Sequence, residues 1–138
     1  MMMCINFPFG IYARRTQRYL IQEKMMTTLN VFAGICGFST QVTSTDKGGY
    51  KAELSIRSEC PNWKKVDQIF AGKELNVMTE LFKDKKTGTL HSAVIDTALS
   101  TIPHVSCPVI SGTLKALEVS VGLALPKDAT ITFIQKDA

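Results

Sequence analysis

Hydrophobic and polar residues alternate in the stretch that runs from residue 38 to residue 57. Phe38, Thr40, Val42 and Ser44 take turns with Ser39, Gln41, Thr43 and Thr45, which is the period of a half-buried strand in a β-branched composition. Tyr50, Ala52, Leu54 and Ile56 alternate with Lys51, Glu53, Ser55 and Arg57 in the same way. Asp46-Lys47-Gly48-Gly49 between them supplies the positive-φ positions of a tight turn, so a β-hairpin is predicted. At Cys60-Pro61-Asn62 the period lengthens: Trp63, Val66, Ile69 and Phe70 recur at helical spacing. Pro61 suits a first helical position and Gly72 a stop, which puts Cys60 at the N-cap.

Residues 74–82 read as a short further helix with Leu75, Met78 and Leu81 or Phe82 inward, followed by a charged, solvated loop over 83–88. Residues 90–101 carry Leu90, Val94, Ile95, Ala98 and Leu99 near helical spacing, and Pro103 closes that helix by restricting Ile102 before it. Residues 108–124 repeat the earlier arrangement, with Pro108 first, Cys107 at the N-cap, and Ile110, Leu114, Leu117 and Val121 along one face. Ile131 and Phe133 alternate with Thr130 and Thr132 as a last strand. The predicted order is ββααα(α)β. It is that of an α+β two-layer domain, in which a hairpin and a C-terminal strand share one sheet and the helices pack on one face.

Composition places this domain in the body of the chain. A 138-residue chain with 45% hydrophobic residues can fill one core of ordinary size. One domain over residues 26–138 is expected. Residues 1–25 are expected to be a loosely ordered or over-extended N-terminal tail, with Met25 or Met26 as candidate starts. A targeting or membrane-surface segment is the functional alternative there, because Arg14, Arg15 and Arg18 stand in an acid-poor stretch. Cys4 falls in this tail and is left out of the site.

Of the net charge of +4, the first 24 residues hold +3, so the remainder is close to neutral and has no basic stripe to meet phosphates. Nucleic acid is therefore not an expected partner. No apolar run approaches the ~20 residues a membrane span needs, and no signal-peptide core follows the basic residues. A soluble cytoplasmic protein is expected, with no membrane partner. In that compartment cysteines serve as free thiols or ligands rather than as a disulfide framework.

Three cysteines carry the chemistry. Cys60 and Cys107 are both read at helix starts, where unsatisfied N–H groups and the positive end of the helix dipole favour a thiolate. Cys36 sits in the turn Gly34-Ile35-Cys36-Gly37, whose glycines permit close backbone approach. His104 precedes Cys107 by three residues. Together they could form a Cys₃His zinc site, although close Cys pairs are missing. The same thiolates could instead hold an iron–sulfur cluster with a fourth position left to His104, water or substrate. Cys36, Cys60 and Cys107 are thus candidate cofactor ligands and His104 a candidate fourth, with zinc or an iron–sulfur cluster as the cofactor.

Two other readings stay open. Cys107 or Cys60 could serve thiol redox or sulfur-transfer chemistry, or the cysteines could be inert fillers of a structural or interaction module. A protein partner or self-association fits any of these, and no substrate is indicated. No catalytic residue is assigned: Ser106 and Ser111 lie near His104, but no orienting carboxylate or oxyanion hole accompanies them. His91, Asp96 and Glu118 read as solvated residues and Trp63 as core.

The segments Gly34-Ile35-Cys36-Gly37-Phe38, Ser58-Glu59-Cys60-Pro61, Pro103-His104-Val105-Ser106-Cys107-Pro108-Val109 and Leu123-Ala124-Leu125-Pro126-Lys127-Asp128 carry a resemblance. In them the chain resembles a family of small proteins of unknown function from anaerobic bacteria and methanogenic archaea. The resemblance runs over roughly residues 30–135 and brings no activity with it. Its cysteine-bearing segments fall on Cys36, Cys60 and Cys107, and its histidine on His104. An anaerobic setting would suit an oxygen-sensitive cluster.

Overall fold

The computed structural model describes residues 25–136. Four antiparallel strands lie in the order of the chain: β1 (Met26–Phe32), β2 (Ser39–Gly48), β3 (Lys51–Ser58) and β4 (Glu74–Asn76). Helix α1 (Pro61–Phe70) leaves β3, α2 (Val77–Leu81) follows β4, and α3 (Ala93–Thr101) and α4 (Val109–Ser120) complete the helical layer. The class is α+β, as the alternation implied.

The hairpin forms at the expected place. Val42 pairs with Ile56 and Thr43 with Ser55, and the ladder breaks register between Asp46 and Gly48. Gly49 and Tyr50 make the two-residue turn at φ of 61° and 59°, the left-handed pair that matches the twist of the flanking strands. Thr40, Val42, Ser44, Ala52, Leu54 and Ile56 are buried under the helices. Gln41, Thr43, Glu53 and Arg57 occupy the opposite, polar face of the sheet.

Helix α1 brings Trp63, Val66 and Phe70 onto β3. Burying each such side chain stabilises the fold by roughly 1.5–3 kcal/mol. Asp67 on the same helix accepts a hydrogen bond from the Ile56 N–H at 2.7 Å, which satisfies β3 beyond the reach of the short β4. Helix α4 lies on β1 and β2. Ser44 and Ser120, both buried, join β2 to its last turn at 2.7 Å.

Several expectations are corrected. Residues 26–32 form an edge strand that the alternation further along the chain overshadowed, because only Leu29 and Val31 supply apolar inward positions. Glu74, Leu75 and Asn76 are a strand rather than the start of a helix. The helix begins at Val77, where the Asn76 side chain accepts from the Met78 N–H at 3.0 Å. On it Val77 and Glu80 face inward, whereas Met78 and Phe82 are exposed.

Helix α3 starts at Ala93 with Ser92 as its cap, so Leu90 and His91 precede it. The last strand is not formed either: residues 123–136 carry no strand, and Ile131 and Phe133 are exposed. No helix among the described residues is long and apolar enough to cross a membrane.

Candidate functional site

Three chain segments meet at the end of the sheet where β1 turns into β2. The first is the turn after β1, closed by a hydrogen bond from the Gly37 N–H to the Gly34 carbonyl at 2.8 Å. Gly34 and Gly37 both take positive φ there, and Cys36 stands exposed between them.

The second segment enters α1. Cys60 is the N-cap as expected, but its side chain caps no N–H group. Its own N–H donates to Ser58 Oγ at 3.0 Å, and Ser58 Oγ lies 2.6 Å from Thr40 Oγ1 on β2, so paired hydroxyls fix the cysteine against the sheet.

The third segment enters α4. The N-cap there is Pro108, in helical conformation, rather than Cys107. Cys107 stands one residue earlier, and its carbonyl accepts from the Ile110 N–H at 3.3 Å. The first i→i−4 bond of the helix runs from the Gly112 N–H to the Pro108 carbonyl at 3.0 Å, which places the boundary one residue later than expected. Cys107 is buried and His104 exposed.

These segments wall a cavity of about 130 Å³. Cys36, Cys60, Cys107 and His104 all line it, with Trp63 and Thr40 among the residues behind them. The four side chains singled out along the sequence therefore share one concavity, although they come from positions up to 71 residues apart. They are not gathered around a point: no group of three or more His, Cys, Asp or Glu side chains among the described residues is placed to hold one metal ion. All three cysteines are free thiols. Cys4 lies outside the described residues.

Trp63 does more than fill the core. Its indole Nε1–H donates to Cys107 Sγ at 3.4 Å inside the protein. A sulfur that accepts an N–H is arranged as an electron-rich group, whether thiol, thiolate or metal-bound thiolate. The signal was present in the chain, since Trp63 follows Cys60 by three residues in the first turn of a helix.

A second buried polar group escaped sequence reasoning altogether. Glu80 is 3% exposed and faces the start of α3. Its carboxylate accepts from Ser92 Oγ at 2.7 Å, the Ala93 N–H at 3.1 Å and the Val94 N–H at 3.0 Å. This carboxylate caps a helix and does not line the cysteine cavity. His91, Asp96 and Glu118 take no part in the cavity, in keeping with solvated roles.

The fold and its cavity define a small α+β domain that carries a cysteine-lined concavity at one end of a four-stranded meander. The chain belongs to the family of unknown function DUF6951, whose pattern matches residues 27–133, from β1 to beyond α4. No curated protein matches the chain, and no solved structure does.

Proposed function

We propose that the protein binds a thiophilic metal centre, zinc or an iron–sulfur cluster, through Cys36, Cys60 and Cys107, with His104 as a fourth ligand. One observation carries the reading: three cysteines scattered along the chain, and the histidine beside the last, line a single cavity. A role as apolar filler accounts for buried Cys107 but not for Cys36, which is exposed on a turn. The Trp63 N–H on Cys107 is the kind of outer contact that holds a ligating sulfur in place.

Binding requires the Cys36 turn and the loop that carries His104 to draw inward, because the side chains are not yet grouped around one point. Cys36 and His104 both stand on exposed segments. The resemblance to proteins of anaerobes would favour the cluster over zinc.

The test is elemental analysis and an absorption spectrum on protein purified without oxygen, beside Cys36→Ser, Cys60→Ser and Cys107→Ser. The wild type is expected to hold one zinc, or about four irons with visible thiolate-to-iron absorption. Each variant is expected to lose most of it. Equal trace metal in all four proteins would overturn the reading.

The ungrouped arrangement favours one second reading, in which Cys60 or Cys107 works as a redox or sulfur-carrying thiol. Alkylation of metal-free protein at neutral pH then modifies one of these two much faster than the remaining cysteines.

A further inference from the structure

Each end of the sheet is an edge, and the two edges differ. β4 is three residues long, with Glu74 exposed and Lys73 just before it, features that discourage pairing with another chain. β1 is seven residues long, Met-Thr-Thr-Leu-Asn-Val-Phe, with no charge, no proline and no glycine. It pairs only with β2 among the described residues. Its inward side chains Leu29 and Val31 are only partly buried against the core.

The same chain carries a segment with strand composition but no strand partner among the described residues. Residues 129–134, Ala-Thr-Ile-Thr-Phe-Ile, are uncharged and mostly β-branched or aromatic, and residues 130–133 alternate at a period of two. Ile131, Phe133 and Ile134 are 84%, 91% and 90% exposed. No backbone hydrogen bond ties residues 128–136 to the sheet. The segment is not a stray extension of the domain, because the family pattern runs to residue 133.

We propose that residues 129–134 of one copy add as a fifth strand to the β1 edge of a second copy, and that the exchange is reciprocal. The alternation fits the site: Ile131 and Phe133 fall on the helical side beside Leu29 and Val31, and Thr130 and Thr132 on the polar face with Thr28 and Asn30. Backbone pairing supplies affinity and the alternate side chains supply register. The area is sufficient. A buried Phe alone covers roughly 150–250 Å², and two exchanged six-residue strands, counted with the surfaces that receive them, reach the ~1,600 Å² of a standard interface.

Size-exclusion chromatography with light scattering on the full chain at micromolar concentration tests this. The wild type is expected at twice the 15.2 kDa chain mass. The double variant Ile131→Asp/Phe133→Asp and a chain ending at residue 128 are expected as monomers with unchanged far-ultraviolet circular dichroism. Among the described residues these changes touch only exposed ones, so the core stays intact. A monomeric wild type would overturn the proposal. So would a dimer that survives removal of the tail, or amide protection of residues 129–134 that persists unchanged on dilution, which would put the strand on its own sheet.

Discussion

Glu80 shows how much one side chain can carry. Its carboxylate accepts three hydrogen bonds at the start of α3, two of them from backbone N–H groups that would otherwise lack partners. Glu80→Ala should therefore destabilise the fold by about 2–3 kcal/mol, and Glu80→Gln by less, because an amide keeps one acceptor. Urea unfolding of both variants measures the difference. At Asp84 the cause is exposed rather than buried. The Thr87 and Lys86 N–H groups donate to its carboxylate at 2.9 and 2.8 Å and hold its pKa below the ordinary aspartate value.

A depressed carboxylate contributes stability above its unfolded pKa and loses it as pH falls through the folded value. Amide NMR signals of Lys86 and Thr87 should accordingly titrate together, with a midpoint below the ordinary aspartate value. A midpoint at or above that value would show that the two bonds are not made. Within the cavity the corresponding residue is Trp63. On the proposed metal-binding reading, Trp63→Phe, which keeps an aromatic ring but removes the N–H on Cys107, weakens metal retention by about tenfold or more in chelator competition.

Among the elements, α4 meets β1 at Gly112. A Cβ placed there would stand 2.5 Å from Val31 Cγ2, so the helix rests on the strand because this position has no side chain. Gly112→Ala gains helix propensity of about 1 kcal/mol yet must displace Val31. A net loss of about 1–2 kcal/mol is expected, and Val31→Ala in the same chain should restore most of it. Thermal unfolding of the single and double variants checks both.

What the sequence showed at this scale follows from how much contrast each element carries. The β2–β3 hairpin and α1 were legible because their buried positions differ sharply from their exposed ones. β1 was not, since Thr27, Thr28 and Asn30 surround just two inward apolar residues. Leu75 is inward in either a strand or a helix, so three residues of β4 could be told from a helical turn only by their pairing with β3. Residues 130–133 have the alternation of a strand, but pattern alone does not provide the neighbour that makes one.

Across the whole molecule, the sheet brings together what the chain keeps apart. Cys36 follows β1, Cys60 follows β3 and Cys107 precedes α4. The antiparallel meander returns the first two to the same end, and α4, lying on β1 and β2, starts there too. The residue types and helix starts were readable one by one, whereas the shared cavity depends on strand order, and the Trp63 contact on packing. Metal-edge X-ray absorption on protein purified without oxygen tests the central claim most directly. The account predicts a first shell with three sulfur neighbours and one nitrogen per centre for zinc, the sulfurs at about 2.3 Å, or, for a cluster, mainly sulfur neighbours with nearby irons and a minor nitrogen contribution from His104. A bound metal surrounded only by oxygen or nitrogen, or no edge above background, would contradict it.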